Sequence, residues 1–108
     1  MTYRHITTHE LAALRTNNAD LVILDVREPD EYAIAHIAGS TLCPISRSAT
    51  WIESFPKDAA IVVLCHHGIR SEHVAAALTS RFGYTDVATV DGGIDDWSAR
   101  IDPSIPRY

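Results

Sequence analysis

Apolar runs alternate with helical patterns along this chain, and that alternation predicts the class of fold. The two longest runs are LVILDV at 21–26 and IVVLC at 61–65; both are rich in β-branched residues and lack regular polar alternation. Continuous apolar runs are typical of parallel strands that are covered on both faces. Shorter strands are expected near 41–45 (TLCPI) and at 87–90 (VATV).

Helical patterns lie between these predicted strands. Thr7 and Glu10 fit a capping box in front of a first helix, and Pro29 fits the first turn of a second one. Apolar residues that recur every four positions in the segment 70–82 predict a third helix, and a short fourth helix is expected over 93–100. This order predicts an α/β fold, with a mostly parallel central sheet and helices on both faces.

The composition is that of one soluble globular domain covering residues 1–108. Hydrophobic residues make up 46% of the chain and charged residues 21%. Fourteen acidic residues against nine basic ones give a formal net charge of -5, which argues against nucleic acid as a partner. We expect the last segment, DPSIPRY at 102–108, to be irregular and flexible, because its two prolines prevent a regular helix.

Cysteine usage and the lack of targeting patterns indicate where the protein works. The start lacks the basic end and apolar stretch of a secretory signal, and no run reaches the roughly 18 apolar residues of a membrane span. Cys43 and Cys65 are too few for a disulfide scaffold. We therefore expect a cytoplasmic protein with reduced thiols and no membrane contact.

The segment CHHGIRSEH, residues 65–73, is the strongest candidate for chemistry. Cys65 follows a predicted buried strand, and a helix is expected to begin at Arg70 or Ser71. The loop between them would turn several backbone N–H groups inward as an anion nest, and the helix dipole adds positive charge. Both effects favour the thiolate, which is the nucleophilic form of cysteine. Gly68 allows the tight turn, and Arg70 adds a permanent cation.

Two other interpretations of this loop are less favoured. A cysteine after an apolar strand is often a small core residue, and we assign that structural role to Cys43, which has no polar loop around it. Zinc is discounted, because the adjacent His66 and His67 are expected to point in different directions and no second ligand pair has the spacing of a zinc finger.

Three stretches in one order resemble the rhodanese domain, the single-domain sulfurtransferase type. CHHGIRS (65–71) resembles the active-site loop of that family. LDVREPDEYAIAHIAGS (24–40) resembles the upstream motif, and DGGIDDW (91–97) resembles the third block. The resemblance covers nearly the whole chain. Ala35 is a departure, because the family commonly has glycine before the histidine at this place.

The resemblance implies that Cys65 takes a sulfane sulfur from a donor such as thiosulfate or a persulfide and passes it on. The acceptor would be cyanide, a cellular thiol or a thiol protein such as thioredoxin, in ping-pong order and with no cofactor. The amides of residues 66–70 would hold the outer sulfur. The residues expected to bind the substrate are His66, His67, Gly68, Ile69, Arg70 and Ser71.

Other residues of the three motifs are expected to support the site. Asp25 and Arg27 are placed at its rim, with Arg27 paired to Glu31 or Asp25, and His36 is assigned to fold support. Gly92, Gly93 and Trp97 are expected to form a tight turn and a lid on the core, while Trp51 either lines the mouth of the site or caps the core.

Two rival functions remain beside the small-molecule sulfurtransferase. A protein-partner persulfide carrier in a sulfur relay would have the same sequence features. A phosphatase or arsenate reductase of the same fold is disfavoured, because Cys65 and Arg70 bracket four residues where phosphatases of the fold have five. A tetrahedral phosphate needs a wider ring of N–H donors than one sulfur atom does.

Overall fold

A five-stranded sheet, all parallel, forms the centre of the protein, in the order β1-β5-β4-β2-β3. The computed structural model describes residues 2–108. The strands are β1 (Arg4–Ile6), β2 (Val22–Asp25), β3 (Thr41–Leu42), β4 (Ile61–Leu64) and β5 (Val87–Val90). The predicted α/β class with a parallel sheet is confirmed.

Four α-helices and one 3₁₀ helix connect the strands. The helices are α1 (Thr8–Asn17), α2 (Pro29–Ile34), α3 (Ile69–Ser80) and α4 (Gly93–Arg100), and the 3₁₀ helix spans Ile45–Thr50. The capping box at Thr7 and Glu10 is present as predicted, with both reciprocal hydrogen bonds made. Helix α3 begins one residue earlier than the predicted Arg70. None of the helices described within residues 2–108 is long and apolar enough to cross a bilayer.

The sheet separates two apolar clusters, because successive side chains of a strand point to opposite faces. Ile61, Val63 and Cys65 contribute to the cluster beneath α3, whereas Val62 and Leu64 contribute to the cluster beneath α1 and α4. Helices therefore cover both faces, as predicted, and β4 is buried along its whole length.

The edge strand β1 and the ordered tail were not predicted. β1 has only three residues, two of them exposed, so it lacks an apolar run; it pairs with β5. The tail is irregular, as expected, but it is fixed against the domain. Arg107 makes two hydrogen bonds to Asp95, and Ser98 donates to the carbonyl of Ile105. These contacts, which attach the end of the chain to α4, were not predicted from the sequence.

Candidate active site

Cys65 lies directly after β4, at the edge where the parallel strands end. The neighbouring strand β2 ends there at Asp25, which is in register with Leu64. Cys65 is almost completely buried, at 1% exposed, and it is one of the residues that line a cavity of about 280 Å³. Ligands bind at this edge in open α/β sheets. The cavity is lined by Cys65, His66, His67, Ile69 and Arg70.

Backbone amides point at the sulfur of Cys65. The N–H groups of Gly68 and Ser71 donate to Sγ at 3.1 and 3.3 Å. Sγ also lies 3.4 Å from the hydroxyl of Ser71, which is buried and 2.8 Å from the hydroxyl of Thr89. The predicted inward turn of the loop is therefore present. The amides of residues 66–70 were expected to point inward; that of Gly68 lies in this range, and that of Ser71 lies one residue beyond it. Because these donors stand at the first turn of α3, the helix dipole adds to their effect.

The beginning of α4 holds the base of the loop. The amides of Ile94 and Asp95 donate to the carbonyls of Cys65 and His66 at 2.9 and 3.1 Å. Gly93 has a φ of +60°, and a Cβ there would overlap both carbonyl oxygens. The glycine of the third sequence block therefore permits close approach of backbone to backbone. The predicted tight turn is confirmed, and its role is to brace the Cys65 loop.

Arg70 is paired with Glu31 across the cavity mouth. Its two terminal nitrogens donate to the two carboxylate oxygens of Glu31 at 2.7 and 2.9 Å, so α2 is tied to the start of α3. Such bidentate pairs fix geometry as well as charge. The guanidinium lowers the pKa of Glu31 from 4.5 to about 2. Sequence reasoning assigned Arg70 to the loop but did not find Glu31 as its partner.

Asp25 and Arg27 form a buried ion pair beneath the site. Both are fully buried, and Arg27 donates to the Asp25 carboxylate from Nε at 2.9 Å and from a terminal nitrogen at 2.7 Å. The guanidinium also donates to the carbonyl of Ala35 at 2.6 Å and to the hydroxyl of Tyr108 at 2.8 Å. The placement of this pair at the rim is wrong, because its hydrogen bonds are satisfied inside the protein. The pairing of Arg27 with Asp25 is confirmed.

Tyr108 connects the tail to the site. Its hydroxyl accepts from Arg27 and donates to Glu31 at 2.8 Å, and its ring stacks on His66 with centroids 3.9 Å apart. The ring of His66 stacks in turn on that of His67, also at 3.9 Å. The expectation that the two imidazoles point in different directions is wrong, since the stacking places both on the same side of the loop.

The remaining predicted residues have clear places. Ile69 is 70% exposed at the cavity mouth. His36 stacks on Tyr32, which agrees with fold support. Trp51 is buried in the core and donates to the carbonyl of Pro44; it lines a separate groove beside Arg70 and not the Cys65 cavity, so the alternative in which it caps the core holds. Trp97 belongs to the core beneath α4, as expected.

Cys43 contrasts with Cys65. It is a free, buried thiol, and burial together with the nearby Asp25 raises its pKa to about 11. A thiol with that pKa is neutral near pH 7 and a poor nucleophile. Its structural assignment therefore agrees with its surroundings.

Known proteins share both this sequence and this fold. The model of the rhodanese-like domain family matches residues 7–100. The thiosulfate sulfurtransferase GlpE of Pseudomonas fluorescens is 37% identical over 95 residues, which is 88% of this chain and 84% of the relative. The protein of the same name from Pseudoalteromonas translucida is 31% identical and covers 99% of this chain and 100% of the relative.

A solved structure has the same architecture. The rhodanese-like domain protein of Staphylococcus aureus superimposes with a TM-score of 0.82 at 28% identity, covering 97% of this chain and 98% of that chain. The fold and the cysteine loop define a rhodanese-like domain. This chain belongs to the rhodanese-like domain family.

Proposed function

We propose that this protein is a sulfurtransferase that carries a sulfane sulfur on Cys65. The observation that carries the proposal is the pair of amide donors, Gly68 and Ser71, directed at Sγ within 3.3 Å. Hydrogen bonds from backbone amides stabilise an anionic sulfur and cost no reorganisation during the reaction. The names of the GlpE relatives support the same class of activity.

The first half-reaction loads the enzyme. The Cys65 thiolate attacks the outer sulfur of thiosulfate, a new S–S bond forms, and the original S–S bond breaks. Sulfite leaves with the electron pair of the broken bond, and the transferred sulfur keeps its negative charge as the outer atom of the Cys65 persulfide. The cavity of about 280 Å³ above Sγ supplies room for the donor and for the added atom.

The second half-reaction removes the outer sulfur from the Cys65 persulfide. A nucleophile such as cyanide or a thiolate attacks the outer sulfur, and the Cys65 thiolate leaves with the S–S bonding electrons. Thiocyanate or a new persulfide is the product. No net oxidant or reductant is consumed when cyanide is the acceptor, because one sulfur atom simply moves between two nucleophiles. Through its pair with Glu31, Arg70 keeps the loop closed around the site during both steps.

Acceptors of the same chemistry include small thiols and a thiol protein such as thioredoxin, and the proposal extends to a carrier that transfers its sulfur to a protein.

Phosphate transfer is the weaker candidate function. Four residues separate Cys65 from Arg70, and the two amides that reach Sγ form a narrow cradle suited to one sulfur atom.

The test is a thiosulfate and cyanide assay in which thiocyanate is measured. We expect turnover by the natural sequence and by Cys43→Ser, and none above the uncatalysed rate by Cys65→Ser. Equal rates from the natural sequence and Cys65→Ser would refute the proposal. A parallel assay with an aryl phosphate is expected to give no turnover above that of Cys65→Ser.

A further inference from the structure

Three potential metal ligands converge beside the mouth of the Cys65 cavity. One ring nitrogen each of His66 and His67 and one carboxylate oxygen of Asp95 lie within 4.8 Å of one another. Two imidazoles with a carboxylate form a donor set that suits divalent first-row transition ions. His66 and His67 also line the Cys65 cavity, but neither half-reaction proposed above involves a metal ion.

The ligands are held together by main-chain and aromatic contacts. The amide of Asp95 donates to the carbonyl of His66 at 3.1 Å, which fixes the distance between these two residues. Tyr108 stacks on His66 at an interplanar angle of 11° and restrains that ring. Nε2 of His66 is buried and has no hydrogen-bond partner among residues 2–108, so this nitrogen is not committed to another hydrogen bond. Two of the three ligands are therefore largely preorganised.

We propose that His66, His67 and Asp95 bind a divalent transition ion such as Zn²⁺. Tetrahedral donors about 2.1 Å from an ion lie about 3.4 Å apart, so the cluster must contract. His67 is exposed, and its ring is free to swing out of the stack until its lone pair converges with the others. Three protein ligands leave the fourth position of the ion open to water.

The bound ion has a consequence for access to Cys65. His66 and His67 line the cavity above the sulfur, so an ion between them narrows its mouth. The ion also competes with Arg107, whose Nε and terminal nitrogen now donate to both oxygens of Asp95 at 2.9 and 3.0 Å. A transition ion bound at this site should therefore slow the entry of the sulfur donor into the cavity. A chelator that removes the ion should restore the rate of entry.

Binding is measured by isothermal titration of the full chain with Zn²⁺, and this measurement does not depend on sulfur transfer. We expect one equivalent to bind. His67→Ala and Asp95→Asn should each weaken binding by about tenfold or more, since loss of even an outer-shell partner commonly has that effect. Arg107→Ala should bind Zn²⁺ more tightly, because it frees the carboxylate. His73→Ala, which removes another exposed histidine, should leave the affinity unchanged.

Cys65→Ser separates this site from simple capture of the ion by the thiolate. We expect Cys65→Ser to retain full Zn²⁺ affinity, and Co²⁺ bound to the natural sequence to show no thiolate charge-transfer band. Loss of binding in Cys65→Ser, or unchanged binding in His67→Ala, would overturn the proposal. Thermal unfolding of each variant without metal verifies that the fold is intact.

Discussion

Gly93 lies against the backbone of Cys65, although 28 positions separate the two in the sequence (93 less 65). A Cβ at Gly93 would overlap the carbonyl oxygens of Cys65 and His66, and the following amide, that of Ile94, donates to the Cys65 carbonyl at 2.9 Å. The third sequence block thus supports the Cys65 loop. The position of the Cys65 loop therefore depends on a residue that does not line the Cys65 cavity.

Gly93→Ala is therefore expected to damage both stability and activity. A non-glycine residue in the left-handed region costs about 1–3 kcal/mol, and relief of the overlap requires the Cys65 loop to move. Thiocyanate formation and urea unfolding measure the two effects. Gly83→Ala is the matched control, because Gly83 has a φ of +77° but a Cβ there would meet no atom within 4 Å. It should lose stability and keep its activity; equal activity in the two variants contradicts this account.

Asp25→Asn is expected to destabilise the fold by about 3–5 kcal/mol, because it leaves the buried Arg27 guanidinium without its counter-charge. Urea unfolding at neutral pH measures the change. Asp86→Asn removes the partner of Arg4 in an exposed pair, and such pairs contribute about 0–1 kcal/mol. Similar losses of unfolding free energy in both variants would show that burial does not determine how much the Asp25–Arg27 pair contributes to stability.

The pair of Glu31 with Arg70 should make stability depend on acid. Because the pKa of Glu31 is lowered from 4.5 to about 2, its contribution is fully present above pH 4.5 and is lost as the pH falls through about 2. The melting temperature of the natural sequence should therefore exceed that of Glu31→Gln above pH 4.5, and the two should converge toward pH 2.

Glu53→Gln is the control for this acid window. Glu53 is 71% exposed and lies 3.8 Å from Lys57, so its removal should leave the melting curve close to that of the natural sequence at each pH. A gap between the natural sequence and Glu31→Gln that stays constant down to pH 2 would mean that the carboxylate charge is not what stabilises the loop.

Local patterns were sufficient for most of the fold and for the placement of the candidate nucleophile, Cys65. Strand β4 is a continuous apolar run, and Cys65 follows it with a glycine and the start of a helix, so position and chemistry can both be read from neighbouring residues. The capping box at Thr7 and Glu10 spans one turn and was equally readable. Strand β1 was not predicted because its own three residues carry no strand pattern. It is a strand because it pairs with β5, which lies more than 80 residues away in the sequence.

The missed parts of the site depend on contacts distant in sequence. Glu31 is hydrogen-bonded to Arg70, and Thr89 is hydrogen-bonded to Ser71. Tyr108 is hydrogen-bonded to Arg27 and stacks on His66. No spacing rule links these positions. Thr89 did carry a signal, since it is a hydroxyl in the otherwise apolar strand VATV and a buried hydroxyl needs a partner. The burial of Arg27 had no local signal, because its hydrogen-bond acceptors come from three different segments.

The most direct test of the central claim is the mass of the protein after incubation with thiosulfate without reductant. We predict the addition of one sulfur atom, located on the peptide that contains Cys65 and removed by cyanide as thiocyanate. Cys43 should remain unmodified, since its pKa of about 11 keeps it protonated. A sulfur atom that is absent from Cys65, or that is retained in Cys65→Ser, would contradict the proposal that Gly68 and Ser71 stabilise a persulfide at this site.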